Sequence, residues 1–84
     1  MAVSKKRRLQ CWRWEVSFKD ETGETFLIGA YSVKQGWKLV YLSLYGLYGW
    51  TPQVIQVDKK KINQPPNAPK NRAFVMHKGK ILKI

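Results

Sequence analysis

Trp12-Arg13-Trp14-Glu15-Val16-Ser17-Phe18 alternates apolar and polar side chains without a break. A period of two is that of a β-strand. Trp12, Trp14, Val16 and Phe18 therefore share one face, and Arg13, Glu15, Ser17 and Lys19 share the other. Each buried tryptophan removes roughly 150–250 Å² from water, which gives a small chain much of the apolar area it needs. The strand reads as a wall between a core and a polar, cationic surface.

Downstream, Asp20-Glu21-Thr22-Gly23 has the composition of a tight turn, with Asp opening a type I turn and Gly23 in the left-handed position of a bulge. Residues 24–31 then form the return strand of a hairpin. With Gly23 opposite Lys19, Phe26 is expected to face Val16 and Ile28 to face Trp14. Thr25 and Leu27 then join Arg13, Ser17 and Lys19 on the outer face. A slip of one residue would invert that assignment.

Ser32-Val33-Lys34-Gln35 fits a capping box, and Val33, Trp37, Val40, Tyr41, Leu44 and Tyr48 follow at helical spacing, with Gly46 and Gly49 as stop signals. A third strand is the alternative, because Trp37, Leu39, Tyr41 and Tyr45 also alternate. Gly36 costs a helix about 1 kcal/mol relative to Ala. Helix is preferred. Residues 39–50 are so poor in charge that they predict an element covered on more than one side, by a protein partner or a second copy in a homodimer.

Pro52 interrupts the chain, and Gln53-Val54-Ile55-Gln56-Val57 predicts a strand ending at Asp58 and the lysines 59–61. Residues 63–71 hold Pro65, Pro66 and Pro69, which block helix and ladder alike, so an extended, mobile surface loop is expected. Residues 73–76 and 80–84 predict a final hairpin turning through His77-Lys78-Gly79, with His77 exposed. Together these elements predict a small α+β domain, an antiparallel sheet of three to five strands with one covering helix. A small all-β barrel is the alternative. The expected organisation is a disordered basic arm over residues 1–10 and a single domain over 11–84.

The 84 residues carry a net charge of +11, four Trp, four Tyr, three Phe, one Cys and one His. One Cys excludes an internal disulfide, and one Cys with one His excludes a Cys/His zinc site. Asp20, Glu21 and Glu24 beside the first turn are expected to be solvated carboxylates rather than a metal cluster. No phosphate-cradling glycine loop, nucleophile elbow or metal motif is present, so no catalytic residue, metal or cofactor is assigned. The basic N-terminus lacks an apolar signal core, and residues 39–50 are too short to cross about 30 Å of hydrocarbon. An intracellular protein with no membrane partner is expected, in the cytoplasm, nucleoid or nucleus.

The cations gather at the two ends of the chain. Residues 1–14 carry five with no acid, residues 15–24 carry four acids against Lys19, residues 25–58 are nearly neutral, and residues 59–84 carry eight cations with no acid. Self-repulsion of that size destabilises a fold unless a polyanion is the partner, and nucleic acid is the commonest intracellular polyanion. Lys5, Lys6, Arg7, Arg8, Arg13, Lys59, Lys60, Lys61, Lys70 and Arg72 are the candidate phosphate contacts. Arg13, Ser17, Lys19 and Thr25 on the outer sheet face are of the type that reaches base edges in a major groove.

Trp14 in the first strand, Leu27, Gly29 and Tyr31 closing the second, Ser32 at the helix start and Tyr41 twelve residues after Gly29 form a recognisable set. On these anchors, residues 12–46 resemble the Apetala/ethylene-response DNA-binding domain and the related arm-binding domains of tyrosine-recombinase integrases. The resemblance implies a sheet face lying in the major groove, with Arg13, Ser17, Lys19 and Thr25 as contacts. The expected function is non-catalytic nucleic-acid binding, with DNA favoured over RNA, in a phage, mobile-element or chromatin setting. Two alternatives belong to other classes: a protein-interaction module or phage-type inhibitor that docks on an acidic partner, and a ribosomal or ribonucleoprotein subunit.

Overall fold

β1 (Gln10–Phe18) is an inner strand of an antiparallel sheet. The chain continues through β2 (Gly23–Ala30), the single helix α1 (Val33–Tyr48), β3 (Val54–Ile62), β4 (Phe74–His77) and the short β5 (Lys80–Ile81). In space the strands run β3-β1-β2-β4-β5. The computed structural model describes residues 8–50 and 52–82. The fold is therefore α+β, a five-stranded open sheet with one helix, and the barrel alternative is excluded because β3 and β5 are separate edges.

The strand alternation sorts the faces as expected. Trp12, Trp14, Val16 and Phe18 are buried under the helix with Phe26, Ile28, Val40, Leu44 and Val75. Trp14 is fully buried and Trp12 is 8% exposed. The hairpin register differs from the expected one by two residues, which keeps each side chain on its face but changes its partner. Trp14 lies opposite Phe26, Trp12 opposite Ile28, and Gly23 opposite Ser17 rather than Lys19.

The turn chemistry explains the shift. The left-handed residue is Glu21, at φ 70°, so the loop closes before Gly23. The Phe18 N–H donates to the Thr22 carbonyl at 2.8 Å and the Glu21 N–H to the Phe18 carbonyl at 3.1 Å. Asp20 Oδ1 accepts from the Thr22 N–H at 3.0 Å, and with the Thr22 hydroxyl these bonds hold the carboxyl below its usual range. Gly23 serves another purpose. A Cβ there would lie 2.6 Å from the Val16 carbonyl oxygen, so close cross-strand approach demands glycine.

α1 starts at the expected cap, but it runs on through Gly46, one of the two expected stop signals, and ends only at Gly49. Ser32 Oγ accepts from the Gln35 N–H at 3.1 Å, while Gln35 Oε1 reaches back to the Tyr31 N–H at 2.8 Å, one residue before the cap. Gly49 ends the helix in the left-handed conformation at φ 75°, its N–H bonded to the Tyr45 carbonyl. Gly36 is buried because the Trp14 ring lies against the helix backbone there.

Three further expectations are corrected. β3 does not end at Asp58 but runs on through Lys59, Lys60 and Lys61, pairing residue for residue with β1 from Cys11 to Ser17. Lysines suit this position because β3 is an edge, and charged side chains on an edge strand oppose further strand addition. Residues 63–71 are not a loose excursion. Pro65 and Ala68 are buried, and Ala68 packs with Cys11, Phe74 and Met76 in a second, smaller core on the open face of the sheet. Gln64 fastens the loop, its Nε2 donating to the Pro69 carbonyl at 2.8 Å and its Oε1 accepting from Cys11 Sγ at 3.3 Å. Lastly, His77 belongs to β4 and its side chain is only 10% exposed. The turn is the two-residue Lys78-Gly79, both at positive φ as a tight hairpin requires.

Candidate nucleic-acid interface

Antiparallel pairing fixes where the cations fall. The N-terminal end of β1 lies beside the C-terminal ends of β2 and β3 and the N-terminal end of β4: Cys11 pairs with Gly29 and Ile62, and Gly29 pairs with Phe74. Arg8 enters at this end of the sheet and shares a surface depression with Lys61, Asn63 and Gln64. Arg13 is directly opposite Lys60. Lys34 and Lys38 project from the first two turns of α1, beside Tyr31 and Ser32. Lys70 and Arg72 sit in the segment leading into β4, held near the helix start by the Tyr31 hydroxyl, which donates to the Asn71 carbonyl at 2.9 Å.

All of these cations are exposed. With neighbouring strands about 4.8 Å apart, β3 and β4 stand about 14 Å from each other, so the charges ring a pole of that width. The helix adds to it, since its N-terminus points the same way and carries no acid in its first turn. Asp20, Glu21 and Glu24 lie at the opposite end, by the β1–β2 turn. The molecule is electrically polarised along its strands.

The outer sheet face is arranged differently. Arg13, Ser17 and Thr25 do project from one face, but Lys19 lies beyond the strand in the turn. Glu15 stands between Thr25 and Asp58 on the same face, and it takes Arg13 Nε as a partner at 3.2 Å. Arg13 and Lys60 are thus balanced by Glu15 and Asp58. The rest of the face is occupied by the second core under the proline loop. Lys5, Lys6 and Arg7 lie outside the described residues.

On the helix side of the sheet, Lys59 Nζ sits 5.6 Å from the centre of the Trp14 ring and 5.8 Å from that of Trp37, within cation–π range. Trp37 in turn meets Trp14 edge-on and stacks with Tyr41. Lys34, Lys38, Trp37 and Tyr41 were not among the contact residues expected from sequence. The signal was present: once Ser32 is the cap, the spacing 34, 38 and 37, 41 puts each pair one turn apart on the helix.

Titratable groups outside the pole serve the fold. Glu24 is shared by His77 Nε2 at 2.6 Å and the Tyr48 hydroxyl, joining β2, β4 and the end of α1. Burial pushes the Glu24 carboxyl up, but the Tyr48 and His77 hydrogen bonds and the neighbouring His77 and Lys78 charges outweigh it and hold it below its usual value. The Tyr48 phenol is pushed up to about 12, chiefly by donating to Glu24. Burial raises the Cys11 thiol. Among the described residues no three His, Cys, Asp or Glu side chains come together as a metal site, and no helix is long and apolar enough to cross a membrane.

The fold defines a class: a small α+β domain whose five-stranded antiparallel sheet carries one helix on one face and a proline-rich loop on the other. No protein-family model matches the chain, and neither a curated protein nor a solved structure matches it.

Proposed function

We propose that this protein binds nucleic acid without catalysing a reaction, with DNA favoured over RNA, and that the basic pole holds phosphates. The observation that carries the reading is convergence. Arg8, Lys34, Lys38, Lys61, Lys70 and Arg72 come from separate stretches of chain and gather at one end, with the acids Asp20, Glu21 and Glu24 at the other. Clustered cations displace the counterions condensed on a phosphate backbone, and separation from the acids leaves that attraction uncancelled. The charge balance of the outer sheet face moves the expected contacts from that face to the pole.

The test is a salt titration of binding to short labelled duplexes, followed by fluorescence anisotropy. If about five phosphates are neutralised, log K falls against log salt with a slope of roughly −4 to −5. Lys70→Glu and Arg72→Glu each flatten that slope, while Lys78→Glu, at the far end, leaves it nearly unchanged. Affinity indifferent to salt refutes the reading. RNA competing as well as DNA would point to the ribonucleoprotein alternative.

A second reading rests on a separate observation. Tyr41, Leu42, Tyr45, Leu47, Tyr48 and Trp50 are all exposed along the end of α1. This is the surface that a protein partner or a second copy would cover. Sizing in high salt distinguishes it, because an apolar interface survives salt that strips phosphates.

A further inference from the structure

α1 is not centred on the sheet. It packs over β2 and β4, and its backbone makes no close approach to β3. Side chains alone span from α1 to β3, so the helix-side face of β3 is only partly covered. Along it Val57 is half-buried, while Lys59 and Lys61 are exposed. These residues alternate with Lys60 and Asp58, which point to the other face.

The flank of α1 that looks over this shelf is aromatic. Trp37 meets Trp14 of β1 edge-on at 5.2 Å, and Tyr48 meets Phe18 of β1 at 6.0 Å, so this side of the helix faces β1 and, beyond it, β3. Tyr41, one turn after Trp37 on that flank, stacks on the Trp37 ring at 5.9 Å and 21°. Lys59 Nζ reaches Trp37 across the gap at 5.8 Å. Tyr41 closes this row of rings with 42% of its surface exposed.

We propose that the trough between the Trp37–Tyr41 flank of α1 and the Lys59–Lys61 side of β3 binds single-stranded nucleic acid. One base stacks on Tyr41, and the flanking phosphates meet Lys59, Lys61 and Lys38. The inference rests on the nucleic-acid reading above and narrows it to the form of the strand. A duplex keeps its base faces inside its own stack, so an aromatic ring beside a lysine row gains nothing from it beyond charge. An unpaired strand presents both chemistries at once: a base face for the ring and phosphates for the cations. The ring is already supported from behind by Trp37 and Trp14, so little side-chain freedom remains to be lost on binding.

The experiment compares labelled oligothymidylate, oligouridylate and a blunt DNA duplex by anisotropy at one salt concentration, for wild type, Tyr41→Ala, Tyr41→Phe and Lys61→Ala. Wild type is expected to bind the single strands more tightly than the duplex. Tyr41→Ala weakens single-strand binding by about fivefold to a hundredfold, the range for one base–aromatic stack, and leaves duplex binding unchanged. Tyr41→Phe restores it, and Lys61→Ala weakens both forms. The two oligomers distinguish DNA from RNA as the source of the strand. Equal affinity for single strand and duplex, with Tyr41→Ala silent, overturns the trough while the basic pole stands. Binding to none of the three at low salt overturns the nucleic-acid reading itself. A Tyr41→Ala protein that loses self-association but keeps its oligomer affinity assigns the flank to a second copy and also overturns the inference.

Discussion

Replacing Gly36 by alanine sets two effects against each other in one residue. Alanine favours the helical backbone by about 1 kcal/mol over glycine. The added methyl, however, would stand 2.7 Å from Trp14 Cζ3 and 3.1 Å from Cη2. That ring cannot retreat, since it is fully buried and held edge-on by Trp12 at 6.5 Å and Trp37 at 5.2 Å. Overpacking of this kind costs about 1–3 kcal/mol, so Gly36→Ala is expected to destabilise by about 1 kcal/mol net. Gly46, in the same helix, has no atom within 4 Å of its would-be Cβ. There only the propensity gain operates, and Gly46→Ala is expected to stabilise by up to about 1 kcal/mol. The two variants should thus melt about 8–16 °C apart, at roughly 4–8 °C per kcal/mol for a domain of this size. Thermal melts followed by circular dichroism, with urea titrations at constant m-value, read the difference directly. If Gly36→Ala is as stabilising as Gly46→Ala, the helix does not rest on the Trp14 ring, and the account of the core given above is wrong.

Three further outcomes follow from the titratable groups. The Tyr48 phenol, pushed up to about 12 in the fold, keeps its proton where the unfolded phenol at about 10 has lost it. The folded state binds the extra proton, so stability falls as pH rises between about 10 and 12, and Tyr48→Phe should flatten that part of the curve. For Glu24 the sign is opposite. Its carboxyl lies below the unfolded value, so its contribution is present above the ordinary carboxylate range and is lost as pH falls through the folded value. Glu24→Gln should remove that acid limb in urea titrations across pH. Cys11 is 5% exposed, with its Sγ bonded to Gln64 and its thiol raised by burial, so alkylation should be slow in the native protein and fast in urea. Gln64→Ala should speed native alkylation by unfastening the proline loop. Equal rates in the two proteins would show that the loop does not guard the thiol.

Local chemistry made much of the fold legible. Trp12 to Phe18 needed only the period of a pleated strand to reveal which side chains go inward. Ser32 and Gln35 announced the helix start, and Gly49 its end, because caps satisfy backbone groups within a few residues. The misreadings share a cause, which is dependence on distant partners. Asp58 and the lysines 59–61 look like the close of a strand, yet β1 offers them ladder partners about 45 residues earlier in the chain. Residues 63–71 read as a free loop because nothing nearby shows that Ala68 will meet Cys11, Phe74 and Met76. His77 read as exposed because its partner, Glu24, lies on another strand.

The sequence by itself determined the strand faces, the helix and its caps, and the charge excess, since periodicity, capping and composition are properties of short stretches. It could say that cations flank a neutral middle, but not that they would meet. Only the tertiary structure decided that antiparallel pairing folds those stretches back to a common pole, that Glu15 and Asp58 neutralise the sheet face, and that α1 leaves β3 only partly covered beside Trp37 and Tyr41. These outcomes depend on register and on the offset of the helix, and both are set by contacts between residues far apart in the chain.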